Sequence, residues 1–444
     1  MKKELKKNET IKNLQNRYYF FSKMGKNIGV DILSGSVIEV DDDFYNAVNF
    51  KKEISNNMLD EAMELIEETD KTCEFKEYAQ KLSNRVIYPK SMCLNVSHIC
   101  NMKCSYCFAF DVLCDTSENI MTTDTALKSI DYLFESPYPS VEIDFFGGEP
   151  LLNWDTVKNA VIYAKEKAKQ TKKKLKLALT TNGILLDKEK AGFLNEHDIN
   201  ITFSLDGNRE VNDLLRKRAD GSGTFDTVSE NFIRTAGSRD NKNYYLRGTY
   251  TKKTLEIFKS FKFLHSLGFN SLSLEAVVTG NKDLKISMKD ISFIEEEYDK
   301  LARYYFEKKK NGENIEFYHF NLNIYDQPCI NKRLSGCQAG AEYLAISPIG
   351  EIYPCHQFIG NEKLRLGTLD RGIDNIKVQD GFKKANIFNQ KKCLNCWAKY
   401  FCSGGCFYAN YESNSDILEP DEINCKIMKI RLKYAIILDL KLKE

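Results

Sequence analysis

SHICNMKCSYCFAF, residues 97–110, places Cys100, Cys104 and Cys107 within eight residues, with spacers of three and two. Four ligands close a structural zinc site, and zinc modules mostly carry their two-residue spacers in pairs, whereas this stretch holds one unpaired triplet. Three thiolates instead suit a [4Fe-4S] cluster that leaves one iron open to a small chelator with an amine and a carboxylate. The triplet directly follows a β-prone segment, and that placement decides how the flanking chain is read.

Downstream, strands are predicted at 93–96, 141–146, 175–179, 201–205, 244–249 and 271–276, and helices at 123–134, 156–169, 188–195, 227–235 and 255–267. Such alternation implies parallel strands joined by right-handed crossovers, hence an α/β fold, either a partial (β/α) barrel or an open doubly wound sheet. In both architectures ligands gather beyond the carboxyl ends of the strands, where the triplet stands. Upstream, strands are predicted at 18–22, 28–32 and 36–40, with LSGS turning between the last two. Leu59, Met63, Leu65 and Ile66 then fall at helical spacing and FKEYAQKL forms another helix, so residues 1–86 make a compact winged-helix-like unit.

The 444 residues, 42% hydrophobic, suffice for more than one core. Lys and Arg number 64 against 63 Asp and Glu, so no whole-chain field points to nucleic acid or an anionic membrane. The basic start MKKELKKNETIKN leads into no apolar segment, and the apolar run YAIILDL is broken by Asp439. A cytoplasmic protein without membrane or nucleic-acid partners is expected. Fourteen cysteines then need a reason, since a reducing cytosol does not preserve structural disulfides, and ligation is the leading one. Cys329, Cys337, Cys355, Cys393, Cys396, Cys402, Cys406 and Cys425 crowd the last part of the chain. Cys73, Cys93 and Cys114 stand apart. The first two read as buried thiols acting as small hydrophobes, and Cys114 stays open.

The Cys100-x3-Cys104-x2-Cys107 spacing, with Tyr106 before the third cysteine, resembles the signature of the radical S-adenosylmethionine (SAM) enzymes. The resemblance implies that SAM chelates the open iron and that its reductive cleavage yields a 5'-deoxyadenosyl radical. It also selects the partial (β/α)6 TIM-like barrel for residues 87–320. FFGGEP, residues 145–150, is similar to the family's motif for the methionine amino group, which gives that role to Gly147, Gly148 and Glu149. TTNG and FSLDG end two further strands. Ser204 and Asp206 suit the ribose and carboxylate of SAM there, although Asn-Gly and Asp-Gly are also ordinary turn pairs. Arg218, in LLRKRADGSGTF, is either a bidentate partner of the SAM carboxylate or a solvated loop charge.

The order Cys337-x12-Gly350-x4-Cys355, Cys393-x2-Cys396-x5-Cys402-x3-Cys406, then Cys425 resembles the seven-cysteine SPASM extension of radical SAM peptide-modifying enzymes. By that resemblance residues 321–444 bind two auxiliary [4Fe-4S] clusters. One is held by Cys337, Cys355 and Cys406 with Cys329 as a candidate fourth ligand, the other by Cys393, Cys396, Cys402 and Cys425, which makes three clusters in all. His98 and His356 read as hydrogen-bonded structural histidines, Pro354 as a backbone shaper, and Trp397, Tyr400 and Phe401 as shields of the clusters from water. The amino-terminal unit resembles the recognition element that binds the leader of a ribosomally made precursor peptide by strand addition. The whole chain is most similar to maturases of six-cysteine (SCIFF) peptides, which join cysteine sulfur to carbon in thioethers. The implied partners are that cysteine-rich peptide and a low-potential electron donor such as ferredoxin or flavodoxin. An anaerobic sulfatase-maturating enzyme and, more distantly, a zinc-binding scaffold are the alternatives.

Overall fold

The computed structural model describes residues 2–50, 55–67, 72–109, 119–322, 324 and 329–444. Three short strands, β1 (Tyr18–Lys23), β2 (Lys26–Asp31) and β3 (Val37–Val40), form an antiparallel sheet in that order. Met24 and Gly25, both at positive φ, make the two-residue turn between β1 and β2, where such backbone matches the twist of the strands. Alternation along β1 feeds two cores. Tyr18 and Phe20 pack with Val40 of β3 and with Leu14, Phe44 and Val48 of the helices around the sheet, whereas Phe21 packs with Trp397, Leu432 and Ile436 of the carboxyl-terminal segment. Tyr19 stacks on Trp397 with ring centroids 5.0 Å apart and planes 3° from parallel.

Six parallel strands follow, β4 (Ser91–Ser97), β5 (Ser140–Gly147), β6 (Lys174–Thr181), β7 (Asn200–Ser204), β8 (Tyr244–Tyr250) and β9 (Ser271–Ala276), each paired with the next. Helices such as Thr123–Phe134, Trp154–Thr171 and Ile257–Ser266 cross between them. The period-2 pattern sorts the side chains. Phe145, Leu179, Phe203, Leu246 and Leu274 face the helices in one continuous core, while Phe146, Thr180, Ser204, Arg247 and Glu275 face the lumen. A two-residue strand, β10 (Glu316–Phe317), extends the β9 edge.

At the other edge β11 (Tyr343–Ile346) pairs parallel with β4, and β12 (Glu351–Tyr353), β13 (Gly367–Thr368) and β14 (Gly372–Ile373) continue antiparallel, for eleven strands in one sheet. The carboxyl-terminal segment therefore grows out of the barrel sheet, and its β11–β12 hairpin leads into Pro354 and Cys355. The last helix, Glu422–Lys441, packs between helix Ile291–Lys310 and β1. No helix among the described residues is long and apolar enough to cross a membrane.

Candidate functional site

The loop after β4 is clamped from two sides. The backbone N–H groups of Gly148 and Glu149 donate to the carbonyls of Ser97 and Ile99 at 2.6 and 3.0 Å, and those of Lys103 and Ser105 donate to Lys217 and Leu215 at 2.8 and 2.9 Å. A Cβ on Gly148 would stand 2.5 Å from the Ile99 carbonyl oxygen, and one on Gly147, whose φ is 145°, would stand 2.2 Å from that of Ser97. The glycine pair is therefore set by the close approach of the cysteine loop. Glu149 is fully buried. Its carboxylate accepts from the Leu151 and Asn182 N–H groups at 3.0 and 2.8 Å and from Thr181 Oγ1 at 2.8 Å, tying the end of β5 to that of β6. Burial pushes its carboxyl up to about 7. Glu149 thus braces the loop ends, and Gly147 and Gly148, not its side chain, line the central cavity.

Tyr106 donates to Asp206 Oδ2 at 2.8 Å and accepts from Arg216 Nη1 at 2.8 Å, while Asp206 Oδ1 accepts from the Thr249 N–H at 2.9 Å. Asp206 is thereby committed to protein partners. Arg218 turns the other way, its Nη2 donating to Thr227 Oγ1 at 2.9 Å, and it does not line the cavity. The residue two positions earlier does. Arg216 is buried at the cavity wall, and its Nε finds no partner among the described residues. Arg216 closes the helix Arg209–Leu215, an element too short to show a period, so the sequence singled out Arg218 and not Arg216.

Cys100, Cys104, Cys107, Tyr106, Gly147, Gly148 and Ser204 meet around a cavity of about 220 Å³ at the carboxyl ends of the strands. Burial pushes the thiols up, Cys100 to about 12 and Cys104 to about 11, and ligation to a metal favours the thiolate that burial alone disfavours. Zinc draws its ligands to within about 2.3 Å of one centre, whereas a four-iron cluster spreads its thiolates over separate irons. The donor set of three free thiols and the glycine cradle beside them fit the cluster.

Deeper in the lumen a second cavity, about 470 Å³, is lined by Cys337, Cys355 and Cys406. Cys355 is buried, while Cys337 and Cys406 are exposed to the cavity with protein packed around it; that desolvation pushes all three thiols up, and each of these cysteines interacts electrostatically with another of the trio. Cys393, Cys396, Cys402 and Cys425 form a separate interacting quartet. Cys329 stays apart, exposed at the start of the helix Ile330–Ser335. Cys93 is buried as expected, but Cys73 is exposed, because the helix Thr72–Asn84 turns Phe75, Ala79 and Leu82 inward and Cys73 lies off that stripe. Cys114 lies outside the described residues. Trp397 and Tyr400 seat the amino-terminal unit, against Tyr19 and Gly35 respectively.

Sequence reasoning missed three further lumen groups, Arg216, Arg247 and Glu275, and it read His356 as a hydrogen-bonded structural histidine. His356 lines both cavities, its Nδ1 lies 2.9 Å from Tyr343 Oη, and burial holds it near 3, hence neutral. His98 is neutral as well, lowered to about 4 by burial. Glu275 is joined to His319 Nε2 and to Arg431 Nη1 of the last helix, each at 2.9 Å. Burial would raise its carboxyl, but Arg431 and then His319 outweigh that and hold it well below the usual range. Lumen register along β8 and β9 was the available signal for Arg247 and Glu275. Nothing local marked Arg431.

Residues 94–256 match the family model of the radical SAM superfamily. The chain belongs to the radical SAM superfamily. It is 22% identical over 447 residues to the radical SAM cyclopropyl synthase TigE of Paramaledivibacter caminithermalis, covering 91% of each chain. It is 30% identical over 217 residues to the uncharacterized protein MJ0907 of Methanocaldococcus jannaschii, covering 48% of this chain and 72% of that one. Among solved structures, native anSMEcpe with bound AdoMet and Kp18Cys peptide superposes with a TM-score of 0.66 at 21% identity, over 80% of this chain and 99% of that one. Membership of this radical SAM family implies a [4Fe-4S] cluster and SAM, and the mouth of the barrel is where this chain offers them a place.

Proposed function

We propose that this radical SAM enzyme modifies a ribosomally made, cysteine-rich precursor peptide by joining cysteine sulfur to carbon. One observation carries the reading: two groups of three thiols share a single lumen, one at its mouth and one deeper inside, with His356 lining both cavities. In this reading Cys100, Cys104 and Cys107 hold three irons of one cluster. Cys337, Cys355 and Cys406 hold a second that keeps an open iron, and Cys393, Cys396, Cys402 and Cys425 hold a third. When bound, the first cluster and SAM supply the radical that takes a hydrogen atom from a peptide C–H.

The chain's own residues prepare that event. Gly147 and Gly148 let the loop backbone lie close to the ligand, Ser204 offers a hydroxyl, and Arg216 presents a guanidinium beside Cys104 for the SAM carboxylate. Thioether formation also removes a proton from the peptide thiol and leaves one electron to depart. The deeper thiol trio, on the same lumen, is where an acceptor would be held.

Residues 1–86 would bind the leader, residues 87–320 would form the radical SAM barrel, and residues 321–444 would carry the auxiliary clusters. β3 is an edge strand with one neighbour, suited to strand addition. The three-stranded amino-terminal sheet, seated on the carboxyl-terminal segment through Tyr19 and Phe21, favours a peptide with a leader over a sulfatase segment. Co-expression with a cysteine-rich peptide encoded beside the gene tests the reading. The product should lose two hydrogens per link and resist thiol alkylation. A peptide that loses mass yet keeps every thiol would contradict the thioether.

A further inference from the structure

β8 alternates cleanly: Tyr244, Leu246, Gly248 and Tyr250 are buried toward the helices, and Arg247 points into the lumen. Each of the other charged groups lining the cavity already has a protein partner, with the Arg216 Nε left over for the SAM carboxylate. Arg216 is bonded to Tyr106, and Glu275 to Arg431 and His319. Arg247 makes no side-chain hydrogen bond or ion pair among the described residues. Groups from several elements face it, and its charge acts on Asp144 of β5, Glu275 of β9, His319, His356 and Cys406 without touching them. Arg216, by contrast, acts on Cys104, Cys107 and Tyr106 at the mouth. Both arginines line the cavity at the mouth, Arg216 held beside Tyr106 and Arg247 reaching in from β8.

Water satisfies Arg247 while the lumen is open. A peptide segment entering the lumen displaces that water, and a cation left desolvated without a counter-charge opposes binding. We infer that Arg247 is a specificity-determining residue that takes a carboxylate of the peptide substrate, an Asp or Glu side chain or the terminal carboxylate, in a bidentate pair. The inference rests on the peptide reading above. The planar fork of Arg matches a carboxylate better than the point charge of Lys does.

The test uses a randomised peptide library displayed as carboxyl-terminal fusions, so that every peptide keeps a free terminal carboxylate, selected on the reconstituted full-length enzyme with SAM present. Wild type should enrich binders with an Asp, Glu or chain terminus at one fixed position of the aligned peptides. Replacing that residue by its amide should weaken binding about ten- to hundredfold. Arg247→Gln should lose the preference and Arg247→Lys keep it in part. Enriched peptides with no acidic position, or the same preference in Arg247→Gln, would overturn the inference and leave the peptide reading standing. So would a loss of SAM affinity in Arg247→Gln, or a shifted auxiliary-cluster potential with peptide preference unchanged, since Arg247 would then serve SAM or a cluster. Retention of no peptide by either enzyme would overturn the peptide reading itself, and the inference with it.

Discussion

A methyl group on Gly148 would press on the Ile99 carbonyl at 2.5 Å and on Cys100 Cβ at 3.1 Å. Gly148→Ala should therefore displace the cysteine loop and cost the enzyme about four of its irons, counted after reconstitution, while the protein stays folded. Glu149 gives a pH signature. Burial holds its carboxyl near 7, above the ordinary range, so the folded apo protein binds a proton that the unfolded chain has released. The stability this contributes is full below the unfolded pKa and is lost as pH rises through 7, on the order of 3 kcal/mol for one such group. Thermal unfolding of apo wild type should weaken across that window, and Glu149→Gln should flatten the slope. The cysteine loop and its glycines were legible in sequence because chemistry fixed their spacing. Arg216 was not, since choosing it over Arg218 depends on which way a loop residue turns.

Strands β4 to β9 were legible because each buries one face under a crossover helix, and alternation at period 2 survives in the sequence. The last helix, Glu422–Lys441, was missed for the opposite reason. Leu432, Ile436 and Ile437 pack toward β1 while Ile430, Tyr434 and Leu438 join the barrel core, so no single apolar stripe marks it. The helix Lys2–Arg17 reads as a polar run, and only Leu14 among its described side chains enters a core as a fully buried residue. Trp397 couples these elements, stacking on Tyr19 beside Phe21. Trp397→Ala should lower stability by about 3–5 kcal/mol and loosen the amino-terminal unit, seen as faster amide exchange in β1 and β2. Unchanged exchange there would show that the unit is held by other contacts.

Over the whole molecule, the last helix returns to the barrel to place Arg431 against Glu275, across 156 residues of sequence. Removing Arg431, whose own side chain is 9% exposed, leaves the Glu275 carboxylate, 24% exposed, with His319 as its remaining partner. Arg431→Ala should cost about 3–5 kcal/mol by denaturant unfolding, whereas removing both partners should cost less than the sum of the single changes. The three thiol groups express the same long-range assembly, because the trio draws Cys337, Cys355 and Cys406 from three separate elements and Cys329 remains outside it. Iron and acid-labile sulfide per chain, measured on anaerobically purified protein, test this assembly most directly, with wild type beside a Cys100/Cys104/Cys107 triple alanine variant and Cys329→Ala. Three four-iron clusters predict about twelve irons in wild type and in Cys329→Ala, and about eight in the triple variant. About four irons in wild type, or zinc in their place, would contradict the account.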